Sequence, residues 1–140
     1  MRKRNLFLFL TSLFLDRITK RLALRLFSGT ALDLGPFSFV LYRNHGVSFS
    51  LFGQSPRLVL ICSLTMWVII VSIALYSSSI RSRSGFALLI AGATGNLLDR
   101  LMYGYVIDWL YIGVYINIAD IALCLGAIML MKAELEQISK

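Results

Sequence analysis

Histidine is almost missing from this chain: His45 stands alone among 140 residues. A zinc cage built on imidazoles is thereby excluded. No serine or cysteine has an accompanying histidine to activate it as a nucleophile. Cysteine is scarce too. Cys62 and Cys124 both lie inside apolar runs, where they serve as small packing residues, and neither belongs to a metal-ligand spacing. No close Asp-x-x-Asp cluster is present, which argues against metal-dependent chemistry on lipid headgroups. Internal repeats and low-complexity tracts are absent. Charge is thin: only 15% of the residues carry it, too few to cover a water-facing globule of this size. The apolar content is 58% and the mean hydropathy +0.77, well above the soluble average. These values describe a membrane protein.

The net charge of +7 could suggest nucleic acid. The basic residues, however, sit at the edges of apolar runs rather than on one face, so membrane lipids with anionic headgroups are the expected partners and nucleic acid is not. The start, "MRKRNLFLFLTSLFL", has the basic head and apolar run of a signal peptide. "DRITKR" follows it instead of a small-residue cleavage site, which points to an uncleaved first transmembrane segment.

Four crossings are expected. Residues 58–76 carry no charge and would span about 28 Å as a helix, close to the thickness of a hydrocarbon core. Residues 84–98 are rich in Gly, Ala and Thr, which let membrane helices pack closely. Residues 5–15 and 121–131 are shorter, and cross only if Asp16 and Asp120 are carried into the membrane. The expectation is one all-α membrane domain over residues 1–140, with helices at roughly 5–26, 57–77, 84–102 and 116–133. A small extracytoplasmic β-sheet is expected within 28–56, where "FSF" and "VSFSL" alternate and "LGP" and "NHG" signal turns. "SSSIRSRSG" reads as a tight polar loop between crossings two and three. The "RKR" head and the short "RSR" loop favour cytoplasmic termini.

Parity adds what charge counting does not. With four alternating crossings, Asp16, Asp33, Asp99, Asp108 and Asp120 gather at one face whichever way the chain inserts. Asp16 and Lys20 are four residues apart and form a structural ion pair. Gly92, Asn96 and Asp99 follow one face of the third helix, with Arg100 beside them. They could form a polar seam between helices or a site. Asn117 and Asp120 can point into one cavity or cap a helix start, and spacing alone leaves both open. Asp108 has no lysine or arginine near it in sequence. Gly104 and Gly113 would let the chain turn so that Asp108 meets Asp120. Two carboxylates brought together share a proton, and one can then activate water.

"DRITK" (16–20), "RNHGVSF" (43–49), "GATGNLLDR" (92–100), "VIDW" (106–109) and "INIAD" (116–120) together resemble the motif series of the bacterial lipoprotein signal peptidase family, signal peptidase II. The match covers most of the chain, in the family's order. The resemblance implies a four-helix inner-membrane aspartic endopeptidase that cleaves diacylglyceryl-modified prolipoproteins on the amino side of the lipidated cysteine. It implies no metal or other cofactor, a monomer, and an active site toward the outer face. By motif position, Asp108 and Asp120 match the catalytic pair. Asn44 and Arg100 match residues that hold the substrate backbone. Asn96, Asp99 and Asn117 match polar residues supporting the site, and Asp16, Lys20 and Gly46 match further motif positions. Trp109 and Ile116 stand where Phe is common, and the segment joining the two aspartates is short. The alternative is a small proton-coupled transporter or channel subunit, which would need carboxylates staggered through the membrane.

Overall fold

The computed structural model describes residues 3–46, 55–77 and 83–138. In chain order the elements are α1 (Lys3–Leu26), β1 (Ala31–Asp33), β2 (Ser38–Asn44), α2 (Pro56–Tyr76), α3 (Arg83–Tyr103), β3 (Val106–Tyr111), β4 (Tyr115–Ile116) and α4 (Ile118–Ile138). The chain is therefore mostly helical with a small antiparallel sheet. The alternating "VSFSL" and most of the "SSSIRSRSG" loop fall outside the described residues.

α3 is the central helix, packed against α1, α2 and α4. Its sequence explains that position. A Cβ built on Gly85 would lie 2.9 Å from the Gly126 carbonyl oxygen, and one built on Gly126 would lie 2.8 Å from the Gly85 oxygen. Backbone thus meets backbone where α3 crosses α4, which only small residues allow. α2 is tied to α3 by the Trp67 indole N–H, which donates to Thr94 Oγ1 at 2.9 Å. At the amino ends of α1 and α3, Arg4 donates to Ser84 Oγ, which in turn donates to Asn5 Oδ1, both at 3.1 Å.

The bundle is polar inside and apolar outside. Asn5, Asp16, Lys20, Ser84, Asn96, Asp99, Asp108 and Asn117 are buried, while Phe7, Phe14, Ile61, Leu64, Leu125 and Ile128 are exposed. Water does not tolerate so much continuous apolar surface on a soluble monomer. Among the described residues one helix, Pro56–Tyr76, is long and apolar enough by composition to cross a membrane. α1 and α3 carry ionic groups that lower their mean hydropathy, and Asp16, Lys20 and Asp99 among them are buried.

The sheet differs from expectation. It was expected within 28–56 alone, but its strand order β1-β2-β3-β4 takes two strands from residues 106–116. "VIDWLY" carries no clean apolar–polar alternation, and its partner β2 lies about sixty residues upstream, so local pattern could not reveal the pairing. Ile116, expected at the start of the last helix, forms β4 with Tyr115 instead, and α4 runs from Ile118 to Ile138. Two glycines permit these turns. Gly104 at φ 79° ends α3, its N–H donating to the Arg100 carbonyl at 3.0 Å, and Gly113 at φ 91° closes the β3–β4 hairpin.

The α3–α4 crossing can be tested directly. Gly126→Ala should destabilise the protein by about 1–3 kcal/mol, because the atom it meets is a backbone oxygen that cannot rotate away. Thermal unfolding in detergent measures this, and an unchanged melting temperature would refute the close crossing.

Candidate active site

Where α1, α3, β3 and the start of α4 meet, two carboxylates and two cations form a buried cluster. Lys20 Nζ lies 3.0 Å from Asp16 Oδ1 and 2.8 Å from Asp99 Oδ2. Arg17 Nη2 lies 2.6 Å from Asp16 Oδ2, and its Nη1 lies 2.8 Å from Asp99 Oδ1. The expected Asp16–Lys20 pair is present, but as half of a four-membered network. Arg17 is the residue that sequence reasoning missed. Adjacent positions on a helix do not face one another, so spacing argued against it. The available signal was charge balance, since Lys20 alone cannot neutralise both Asp16 and Asp99.

Each member of this cluster also holds a piece of backbone or a polar side chain. Asp16 Oδ1 accepts from the Ala119 N–H at 3.0 Å, and Asp99 Oδ2 accepts from the Ile107 N–H at 3.1 Å. Arg17 donates to the Gly95 carbonyl at 2.8 Å. Lys20 donates to Asn96 Oδ1 at 3.1 Å. The start of β3, which carries Asp108, is thereby pinned to α3, and the start of α4, which carries Asp120, to α1.

The start of α4 resolves the choice between cap and cavity left open by spacing. Asn117 Oδ1 accepts from the Asp120 N–H at 3.0 Å, and Asp120 Oδ2 accepts from the Asn117 N–H at 3.1 Å. This is a reciprocal capping box built from Asn and Asp. The same two side chains also face the cavity. Asn117 Nδ2 donates to Asp108 Oδ1, and Asp120 Oδ1 accepts from Asn96 Nδ2 at 2.8 Å. A single asparagine therefore binds both aspartates.

Three asparagines serve the pair, and the orientation of each is fixed by a group that can only donate. Lys20 claims the Asn96 oxygen, the Asp120 N–H claims the Asn117 oxygen, and the Gly46 N–H claims the Asn44 oxygen at 3.1 Å. Their amide nitrogens must then turn to the carboxylates, Asn44 Nδ2 reaching Asp108 Oδ2 at 3.0 Å. β2 places Asn44 through a bulge. Phe39 pairs with Leu110 but Tyr42 pairs with Asp108, so one extra residue on β2 shifts the register. Arg100 Nη2 donates to the Gly46 carbonyl at 2.8 Å, while its buried Nε has no partner among the described residues. Ten residues singled out from sequence, Asn44, Gly46, Asp16, Lys20, Asn96, Asp99, Arg100, Asp108, Asn117 and Asp120, thus meet in one connected network.

Asp108 is 1% exposed, whereas Asp120 is only half-buried. Burial, and after it the charge of Asp120, pushes Asp108 up to about 6, against the pull of the Asn44 and Asn117 hydrogen bonds and the Lys20 charge. Among the described residues no group of three or more His, Cys, Asp or Glu side chains is placed to hold a metal ion.

The molecule is a helical bundle with an apolar belt and a candidate acid–base pair at one end. Residues 8–135 match the family model described as signal peptidase (SPase) II, and the chain belongs to that family. The lipoprotein signal peptidase of Clostridium novyi is 41% identical, over 83% of this chain and 86% of its own. That of Mesorhizobium japonicum is 36% identical, over 74% and 68%. Two solved structures share the fold, each described as a bacterial membrane enzyme obtained by the in meso method. Their TM-scores are 0.86 and 0.82 at 23% and 22% identity, covering 99% and 96% of this chain and 92% and 94% of theirs. Family and surface together make this a bacterial membrane protein.

The raised Asp108 has a consequence for stability. A carboxyl raised in the folded state contributes stability below its unfolded value near 3.8, and that contribution is lost as pH rises through about 6. Asp108→Asn removes this titration. The variant should therefore gain on the parent protein as pH rises from about 4 to 7, read as the difference between their melting temperatures. A difference independent of pH would show that Asp108 is not raised.

Proposed function

We propose that this chain is an intramembrane aspartic endopeptidase whose catalytic pair is Asp108 and Asp120. Removal of signal peptides from prolipoproteins is the activity of the family to which it belongs. The observation that carries the aspartic mechanism is the pair itself, with Asn117 bound to both carboxylates at the end of a polar core. Two carboxylates in one low-dielectric pocket cannot both ionise easily, so they hold one proton between them. The ionised one takes a proton from water, whose oxygen attacks the peptide carbonyl, while the protonated one donates to the carbonyl oxygen. No covalent intermediate is required.

The substrate side of the reading rests on geometry and anchoring. A diacylglyceryl-cysteine holds its peptide at the bilayer surface, which places the scissile bond near the outer interface. The pair lies at the end of the bundle that carries the sheet. Arg100 offers its unpartnered Nε to the substrate backbone. Asn44, which orients Asp108 from the sheet, lies at the rim where that backbone would run. In this reading all four helices cross the membrane, both termini are cytoplasmic, and the enzyme acts as a monomer. α1 and α3 can cross because Asp16, Arg17, Lys20 and Asp99 neutralise one another inside the bundle, and α4 carries no charge between Asp120 and Lys132. The proton-relay transporter is not supported, since the carboxylates gather at one end instead of running through the membrane.

The purified protein should shorten a diacylglyceryl-modified prolipoprotein. Asp108→Asn and Asp120→Asn should each lower cleavage by roughly 10³-fold or more, and the double variant should be little worse, because residues acting as one unit fail together. Near-normal turnover by either single variant would remove the aspartic assignment. Topology has its own test. A cysteine placed at the carboxyl terminus, in a background with Cys62 and Cys124 replaced by serine, should resist an impermeant label in intact cells. Labelling from outside would invert the proposed orientation.

A further inference from the structure

We propose that Lys20, acting through the side-chain amide of Asn96, fixes which member of the pair is the base: Asp120 takes the proton from water and Asp108 holds the proton that polarises the carbonyl. The inference rests on the aspartic reading above and deepens it by giving Lys20 and Asn96 positioning roles.

The argument begins with donors. A lysine ammonium has three N–H groups and no acceptor. Lys20 Nζ lies 3.0 Å from Asp16 Oδ1 and 2.8 Å from Asp99 Oδ2 in ion pairs, donates to Asn96 Oδ1 at 3.1 Å, and the residue is 1% exposed. Three acceptors thus surround three N–H groups. The Asn96 oxygen is therefore held toward Lys20, and Asn117 Nδ2 approaches the same oxygen at 3.4 Å. Asn96 cannot turn its amide over, so its Nδ2 must donate to Asp120 Oδ1. The other oxygen, Oδ2, accepts from the Asn117 N–H just ahead of α4, and Asp120 itself lies in the first turn, where the helix dipole favours a negative charge. Asp120 thus meets a donor at each oxygen, one of them polarised by a buried cation and the other by a helix terminus.

Asp108 lies on a strand and has neither device. Its two donors, Asn44 Nδ2 and Asn117 Nδ2, are amides whose oxygens rest on backbone N–H groups rather than on a cation. Solvent access falls the same way. Asp120 is half-buried, while Asp108 is 1% exposed. The charged groups around the pair are Asp16, Arg17 and Lys20 from α1, and Asp99 and Arg100 from α3. β2 faces it with the neutral Asn44. The α1 cations are balanced by Asp16 and Asp99, so the bias on Asp120 is local and directional instead of a net charge.

The proton account closes. Asp120 receives a water proton as the water oxygen bonds to the carbonyl carbon, and Asp108 gives its proton to the carbonyl oxygen. On collapse the C–N bond breaks, Asp120 passes its proton to the leaving nitrogen, and Asp108 recovers one from the tetrahedral hydroxyl.

The test is the pH dependence of kcat/KM for a diacylglyceryl prolipopeptide. Asn96→Leu removes the donor while roughly keeping the volume. It should move the acidic limb up by about one unit, a tenfold loss of the ionised base on that side. The alkaline limb should stay in place. Lys20→Met leaves Asn96 free to flip and should move the same limb in the same direction. A merely structural role would lower activity at every pH and leave both limbs fixed, and that result overturns the proposal. Where either variant fails to fold, infrared spectroscopy of the catalytic variants decides. Referenced to the double variant, the carboxylic-acid band should persist to higher pH in Asp120→Asn than in Asp108→Asn. The opposite pattern would assign the base to Asp108. Active single-aspartate variants would instead sink the aspartic reading itself.

Discussion

The buried cluster of Asp16, Arg17, Lys20 and Asp99 is the constraint on which the rest of the structure depends. Charges withdrawn from water persist only when paired, since an uncompensated buried ion is strongly destabilising. Here the pairing uses α1 and α3, and backbone groups and Asn96 add hydrogen bonds, while Asp99 Oδ1 has only its ion pair with Arg17 among the described residues. The Ala119 N–H at the start of α4, the Ile107 N–H on β3 and the Gly95 carbonyl on α3 are bound by Asp16, Asp99 and Arg17 in turn. Forming the ion cluster therefore places the two segments that carry Asp108 and Asp120. A cavity made by removing one member would leave a charge and a backbone group stranded together.

Small residues make the cluster possible. A Cβ on Gly95 would lie 2.7 Å from Asp16 Oδ2, so the carboxylate occupies the space that any side chain would fill. The glycines at 85, 92 and 95 read from sequence as helix-packing residues. At 85 and 92 they act as such, toward α4, but Gly95 makes room for a charge. Lipid-facing surface and polar interior then follow from one arrangement: the ions are neutralised inside, and the aliphatic side chains are left outside where hydrocarbon is the solvent.

Much of the site was legible because its residues lie close in sequence to others of the same network. Asp16 with Lys20, Asn96 with Asp99, and Asn117 with Asp120 each keep a helical spacing, and parity placed these groups at one end of the bundle. Arg17 was not legible, because a long guanidinium reaches past its own helix face to atoms that only tertiary structure brings near. The sheet was half legible. β1 and β2 carry turn residues between them, while β3 and β4 acquire strand character from pairing with β2 rather than from their own pattern. The choice between cap and site for Asn117 and Asp120 could not be made from spacing, since the geometry satisfies both at once.

That double use explains the short connection between the two aspartates. Asp108 precedes Leu110 by two residues, and Asn117 follows Ile116 directly, while Leu110 and Ile116 are paired across the β3–β4 hairpin. The separation of the carboxylates is thus set by sheet hydrogen bonds and a capping box, not by a loop that could breathe. A longer connection would give the hairpin more surface but would not bring the carboxylates closer. The exposed tip, with Ile112, Val114 and Tyr115, presents apolar side chains. An acid–base pair needs its two members held within a fraction of an ångström of the working geometry. Here that precision comes from backbone pairing on one side and from a charge-balanced ion cluster on the other.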